Sequence, residues 1–214
     1  MKLMRLAMKS AMACLLAFTT VTTAAEGLFT EVIKGDYVQY AVKAGFTEDG
    51  ETVKMSGTIR YTVSEKNDES ITFTIDFVFK ADDDEEILEE SQEIVTLNLK
   101  EELGINEFLK VLLAREDDIV IKKQEIVSQK EGVKLKVAGE NIECTVVTIV
   151  SEIVEDGNDT KETITVYVTE EEPILNAAKW SLVSESEGEK TTIEAMFEEA
   201  GNDEEDEVDD EDEE

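Results

Sequence analysis

Apolar and polar residues alternate along most of the chain. The clearest alternating run has the apolar members Ile71, Phe73, Ile75, Phe77 and Phe79. Because successive side chains of a β-strand point to opposite faces, this run predicts a strand with one buried and one solvent-exposed face. A similar run covers residues 53–63 and is separated from the first by a polar turn. The two runs together predict a β-hairpin.

Further alternating segments follow, and turn-forming residues recur between them roughly every 8–14 residues. The predicted strands lie at residues 38–44, 53–63, 71–80, 95–99, 119–121, 133–137, 142–146, 164–168, 180–182 and 193–197. Short strands at this spacing favour antiparallel hairpins over βαβ units.

One segment has helical periodicity instead. Residues 103–115 predict a helix with Asn106 as its N-cap and one apolar face made of Ile105, Phe108, Leu109, Leu112 and Leu113. A single amphipathic helix can fill the concave side of a curved sheet. The sequence therefore predicts a mainly β fold, a single curved antiparallel sheet or half-barrel of about ten strands with one packed helix. A two-sheet β-sandwich is the alternative.

The two ends of the chain depart from this pattern. Lys2, Arg5 and Lys9 precede a short apolar stretch and then small residues up to Ala25, the layout of a secretory signal peptide cleaved near that residue. Residues 198–214 contain 13 acidic and no basic side chains. The like charges of such a segment repel one another, and it has almost no apolar side chains to bury. We therefore predict a disordered acidic tail. Residues 26–197 are then one β-rich domain, periplasmic or extracellular.

Composition narrows the possible functions. The 214 residues include 53 acidic and 20 basic side chains, two cysteines and no histidine. Without histidine there is no Ser-His-Asp or Cys-His pair and no imidazole metal site. A net charge of −33 argues against nucleic-acid binding, which needs a basic surface. We predict no catalytic residue, no metal site and no cofactor, and we expect Cys144 to be a buried, small apolar side chain.

Carboxylates are the only abundant groups that could carry chemistry. A glycosidase needs just two of them at a fixed separation, but no pair stands out among the 53 acidic residues. A carboxylate-dependent hydrolase is therefore the rival hypothesis. A third hypothesis is weak divalent-cation binding through the acidic tail, because carboxylate oxygens suit calcium.

Three groups of motifs occur in a recognisable order. They are Gly35–Tyr40 (GDYVQY), Lys134–Cys144 (KLKVAGENIEC), and a last group formed by Val166–Val168, Glu172–Ile174 and Ala178–Ser181. This order resembles a group of exported bacterial β proteins without assigned function, which have the pattern G-[DE]-[WY]-V-x-Y, then V-x-G-x-x-[FY]-x-C, then an acid-Pro loop. It is also similar to the periplasmic lipoprotein carriers of the LolA and LppX type. The resemblance implies a carrier-like fold with an apolar cavity between sheet and helix.

These observations favour an exported, soluble, non-catalytic binding or structural module. Its partner would be an apolar small molecule, a lipid or lipoprotein, or another protein, held in the concavity beside the helix. The candidate ligand-binding residues are Trp180, Phe108, Leu109 and Leu112. No later segment is long and apolar enough for a membrane helix, so we do not expect an integral membrane protein.

Overall fold

The computed structural model describes residues 29, 31–48, 50–81, 87–100, 105–115, 119–137, 139–155, 157–169, 172 and 174–203. Within these ranges the chain forms nine β-strands and one longer helix. They are β1 (Asp36–Glu48), β2 (Glu51–Lys66), β3 (Ser70–Ala81), β4 (Ile87–Asn98), α1 (Ile105–Leu112), β5 (Val120–Val137), β6 (Glu140–Glu155), β7 (Asn158–Val168), β8 (Ala177–Ser186) and β9 (Glu189–Asn202).

All nine strands belong to one open sheet in the order β4-β3-β2-β1-β9-β8-β7-β6-β5. Every neighbouring pair is antiparallel, so the sheet consists of two meanders joined where β1 pairs with β9. The edge strands are β4 and β5, and α1 lies between them in the chain. The predicted single curved antiparallel sheet with one helix is confirmed, and the sandwich alternative is wrong.

The sheet has nine strands, not about ten, because β5 is a single strand. Residues 119–121 and 133–137 were expected to form separate strands, but β5 runs through both from Val120 to Val137. Its pairing with β6 shifts register between Ile121/Lys123, Ile126/Ser128 and Lys130/Val133. Each such irregularity inserts a residue and reverses the alternation of faces. The charged edge strand therefore lacks a continuous two-residue period.

The main hydrophobic core lies on the concave face of the sheet. It takes alternate residues from the central strands, among them Val38, Tyr40, Val42, Ile59, Tyr61, Val63, Ile71, Phe73 and Ile75. The buried residues of α1 belong to the same core, namely Leu109, Val111 and Leu112. Burial of such side chains contributes about 1.5–3 kcal/mol each relative to exposure, and it holds the short helix against the sheet.

The helix is shorter than the predicted span 103–115. It begins at Ile105, so Asn106 lies inside it and is not its N-cap. At the other end the Arg115 N–H donates to the Lys110 carbonyl (2.9 Å) and the Ala114 N–H to the Val111 carbonyl (3.1 Å). With Ala114 at φ = 48°, these two bonds form a Schellman motif, which ends the helix.

A smaller apolar cluster lies on the opposite face of the sheet. It contains Val137, Ile142, Cys144 and Ala178. On β6, Ile142 and Cys144 occupy even positions, whereas Val147 and Ile149 of the main core occupy odd ones, so the two clusters face opposite ways. The prediction that Cys144 is buried among apolar neighbours is confirmed.

The last strand extends beyond the predicted domain boundary. Strand β9 runs to Asn202, so residues 198–202 belong to the sheet and not to an acidic tail starting at residue 198. Residues 199–202 pair with Asp36–Gln39 of β1, which supplies backbone partners that a charge count cannot reveal. The predicted signal peptide at residues 1–25 and the rest of the predicted tail, from residue 204 onward, lie outside the described residues. In the described part of the chain, no helix is long and apolar enough to cross a membrane.

Candidate functional site

The candidate site is the concave interior of the sheet, which is closed by α1. The four residues predicted to bind a ligand all belong to this region. Trp180, Leu109 and Leu112 are buried in the main core, and Phe108 is partly buried against it. The fold thus brings the predicted residues together as packed side chains. Their role in ligand binding stays a prediction.

Two tyrosines form the polar centre of this interior. Tyr40 and Tyr61 lie on adjacent strands, β1 and β2, and their rings meet edge to face with centroids 5.7 Å apart. The Tyr61 hydroxyl donates to the carbonyl of Leu112 in the last turn of α1 (2.6 Å). The Tyr40 hydroxyl donates to the carbonyl of Ala177 at the start of β8 (2.8 Å). The sheet thereby holds both the helix end and the loop before β8.

A buried carboxyl group accompanies the tyrosines. Glu172 is only 2% exposed, and its carboxyl oxygens accept hydrogen bonds from the backbone N–H groups of Ile174 (2.9 Å), Leu175 (2.7 Å) and Ala177 (3.0 Å). Three donors satisfy most of the acceptor capacity of this group, as a buried polar group requires. Glu172 therefore fixes the path of the loop that leads into β8.

Burial sets the protonation behaviour of this cluster. Loss of solvent raises the pKa of Glu172 to about 7, although the backbone hydrogen bonds to Ile174, Ala177 and Leu175 oppose the rise. The pKa of Tyr40 lies well above its ordinary value, first because of burial and then because of the nearby negative charge of Glu172. The same two causes raise the pKa of Tyr61. Both tyrosines therefore stay protonated, and Glu172 is the group that titrates near neutral pH.

The indole N–H of Trp180 is a buried donor in this interior. The indole of Trp180 is 1% exposed, and its Nε1–H has no hydrogen-bond partner among the described residues. A buried donor without an acceptor costs about 1–3 kcal/mol, so such a group usually meets a water or a ligand. An acceptor atom entering the interior would remove this cost.

The helix end has a second connection to the sheet. Arg115 follows the Schellman turn and forms a buried ion pair with Glu162 of β7. Removal of one partner from a buried pair leaves an uncompensated charge, which is strongly destabilising. Tyr61 and Arg115 thus tie the C-terminal end of α1 to opposite halves of the sheet.

Two buried carboxyl groups are the candidate reactive groups of this interior. Glu162 and Glu172 are the buried carboxylic acids of the described residues, and Glu162 is already paired with Arg115. In the same part of the chain, no group of three or more histidine, cysteine, aspartate or glutamate side chains is placed to hold a metal ion.

Sequence reasoning missed the position of Glu172. The residue appeared only as part of an acid-Pro loop, one of 53 acidic side chains. A signal was available, because Ile174, Leu175, Ala177 and Ala178 follow it within six residues and predict a buried loop. The hydrogen bonds of Tyr61 to Leu112 and of Tyr40 to Ala177 likewise leave no local signal, because they join residues 51 and 137 positions apart.

The similarity of this chain to known proteins is limited to a few solved structures of low sequence identity. No family model and no curated protein matches the sequence. Among solved structures, a candidate exported protein with a YmcC-like fold from Bacteroides fragilis aligns over 79% of this chain and 97% of its own, with 10% identity and a TM-score of 0.41. A DUF1329 family protein from Desulfovibrio piger aligns over 84% of this chain and 90% of its own, with 12% identity and a TM-score of 0.26. The resemblance to lipoprotein carriers therefore stays a prediction.

Proposed function

We propose that this protein is an exported, non-catalytic binding module that holds an apolar ligand, such as a lipid or the acyl chain of a lipoprotein, in the concave interior beside α1. The observation that carries the proposal is the unpartnered Nε1–H of Trp180 inside an apolar core. Lipid esters and amides combine long apolar chains with carbonyl acceptors, so they match both properties of the interior.

The helix provides a route into this interior. An isolated helix shorter than about 12 residues is marginal in water, so α1, with eight residues, depends on its packing against the sheet. An entering acyl chain would replace the contacts of Leu109 and Leu112 with its own methylene groups. Such an exchange keeps the buried apolar area unchanged. Displacement of the helix would then require only that the Tyr61 hydrogen bond to Leu112 and the Arg115–Glu162 ion pair break.

The fluorescence of Trp180 offers a direct test, because it is the single tryptophan of the chain. Mature protein (residues 26–214) would be titrated with phospholipid whose acyl chains carry bromine, a contact quencher. We expect saturable quenching by the brominated lipid and little quenching by aqueous iodide, which cannot reach a buried indole. Lack of quenching, together with a ligand-free mass in native mass spectrometry of protein purified from its export compartment, would refute the proposal.

A variant pair tests the role of the helix. Tyr61→Phe removes the hydroxyl that holds the Leu112 carbonyl and should accelerate lipid uptake in the quenching assay. Tyr37→Phe is the matched control, because Tyr37 lies on β1 with its ring under the Arg60 guanidinium and away from α1. Equal uptake rates in the two variants would contradict a gating role for α1.

The rival hydrolase hypothesis requires two convergent carboxyl groups, one of them with a raised pKa. Glu172 has the raised pKa, but Glu162, the other buried carboxylic acid in the described ranges, is engaged by Arg115. We therefore retain the binding proposal. Cation binding through the acidic tail has a separate test, since a chain that ends at Asp203 should lose calcium binding if the tail is responsible.

A further inference from the structure

A surface depression lies on the outer face of the sheet, on the side opposite to the main core. It crosses β9, β1, β2 and β3 and has a volume of about 600 Å³, within the range of small-molecule sites. Val42 and Gly57 border it from within their strands, and its other lining residues alternate with core residues of the same strands, as Lys43 does with Val42 and Thr58 with Ile59. It is therefore separate from the interior that α1 closes.

Strand register places a hydroxyl group between two lysines in this depression. Ser56 of β2 pairs with Lys43 of β1 on one side and with Lys80 of β3 on the other. Because neighbouring strands lie about 4.8 Å apart, the two lysine backbones are separated by roughly 10 Å. Long lysine side chains on either side can close over an anion that sits on the Ser56 hydroxyl.

A third lysine adds to this positive charge. Lys54 precedes Ser56 by two residues on β2 and so lies on the same face. Lys43, Lys54 and Lys80 are all exposed, and none of them forms an ion pair with a described residue. Glu194, which also lines the depression, lies beside Lys43 in the register and forms an ion pair with Lys179 at 3.0 Å. Three lysines without an ion pair to a described residue thus lie on one face of a chain whose net charge is −33.

The adjacent row of the depression is mostly apolar. Ala41 pairs with Met196 on one side and with Thr58 on the other, and Thr58 pairs with Val78. A basic row thus adjoins an apolar row within one cavity. This pattern matches a molecule with an anionic head and an apolar portion.

We propose that this depression, the outer-face site, binds the phosphate group of an anionic ligand. Lys43, Lys54 and Lys80 neutralise the phosphate, the Ser56 hydroxyl donates a hydrogen bond to one of its oxygens, and the row of Ala41, Val78 and Met196 accepts an attached apolar chain. Charge-assisted bonds of this kind are stronger than neutral ones, and lysine is a common phosphate ligand. The proposal does not depend on lipid binding beside α1.

The test compares two probes on the mature protein by isothermal titration calorimetry at low ionic strength. One probe is inorganic phosphate, and the other is a short-chain phosphatidic acid below its micellar concentration. We expect saturable binding of at least one probe. Tighter binding of phosphatidic acid would identify a lipid headgroup as the source of the phosphate, and equal affinities would identify free phosphate. Absence of saturable binding of both probes would overturn the proposal.

Matched variants separate a built site from general charge. Lys43→Gln combined with Lys80→Gln should weaken binding at least tenfold. The control combines Lys130→Gln with Lys134→Gln, two exposed lysines of the edge strand β5 that also form no ion pair with a described residue. It makes the same change in net charge and should leave affinity within about twofold. An equal loss in both variants would also overturn the proposal.

The Lys43/Lys80 variant should still show quenching of Trp180 by brominated lipid. Loss of phosphate binding without loss of quenching would place the two ligands at different sites. A Met196→Ala variant should weaken phosphatidic acid but not inorganic phosphate, because it alters only the apolar row. If Met196→Ala changes neither affinity, the apolar part of the proposal is wrong.

Discussion

At the scale of single residues, Glu172 combines structural use with an unusual titration. Its carboxyl group accepts three backbone hydrogen bonds, while burial raises its pKa to about 7. The hydrogen bonds stabilise the ionised carboxylate, whereas desolvation destabilises it, and desolvation is the larger effect. The folded protein therefore binds a proton at this site more tightly than the unfolded chain does.

This raised pKa predicts a pH dependence of stability. The contribution of Glu172 is fully present below its unfolded pKa of 4.5 and is lost as the pH rises through about 7. The shift corresponds to an upper limit on the order of 3 kcal/mol. Between pH 4.5 and 8, the free energy of unfolding of the wild type should fall more than that of Glu172→Gln, as measured by urea titration. Glu143→Gln, at an exposed position, is the control, and equal slopes for all three proteins would contradict the prediction.

At the scale of elements, the most informative feature of α1 is the turn at its C-terminal end. The Schellman motif places Ala114 at φ = 48°, a conformation in which a side chain is unfavourable and glycine is preferred. The next residue, Arg115, then meets Glu162 of β7. Local strain at Ala114 thus accompanies a turn that directs the chain from the interior back to the sheet.

We predict that Ala114→Gly stabilises the protein by about 0.5–1 kcal/mol, because glycine adopts the left-handed conformation without the penalty from Cβ. Ala114→Val should have the opposite sign, since a β-branched side chain is least tolerated at positive φ. Thermal and urea unfolding of the three proteins would measure both effects. A glycine variant that is less stable than the wild type would contradict the prediction. It would show that packing of the Ala114 methyl group stabilises the fold by more than the backbone strain at Ala114 destabilises it.

At the scale of the whole molecule, the pairing of β1 with β9 unites the two halves of the sheet. Each half is a meander of neighbours in sequence, whereas β1 and β9 are separated by most of the chain. The pairing extends to Asp36 and Asn202, and Asp203 adds a bond from its N–H to the Gly35 carbonyl (3.1 Å). The residues at the end of β9 therefore hold the two meanders together.

Two truncations test this view. A chain that ends at Asp203 should keep the thermal stability of the full protein within a few degrees, because all pairs of β9 remain. A chain that ends at Phe197 loses the partners of Asp36–Gln39 and should unfold at a clearly lower temperature. Differential scanning calorimetry would compare them with residues 26–214. Equal melting temperatures for the two truncated chains would show that residues 198–202 add nothing to the sheet.

The character of the fold can be predicted from the sequence. Alternation in residues 53–63 and 71–80 predicted β2 and β3, and the helical spacing of Phe108, Leu109 and Leu112 predicted α1. A single helix in an otherwise β chain then favoured a curved sheet over a sandwich, which the strand order confirms. These features are readable because periods of 2 and 3.6 residues depend only on near neighbours in the chain.

The importance of individual polar residues depends on contacts between distant parts of the chain. Glu172 is one acid among 53 until the loop before β8 carries it under Tyr40, and Lys43, Ser56 and Lys80 form a row only through the register of three strands. The same holds for the irregular edge strand β5 and for residues 198–202, whose partners lie far away in the chain. Burial and register are properties of contacts between distant segments, and a local pattern of hydrophobicity contains no record of them.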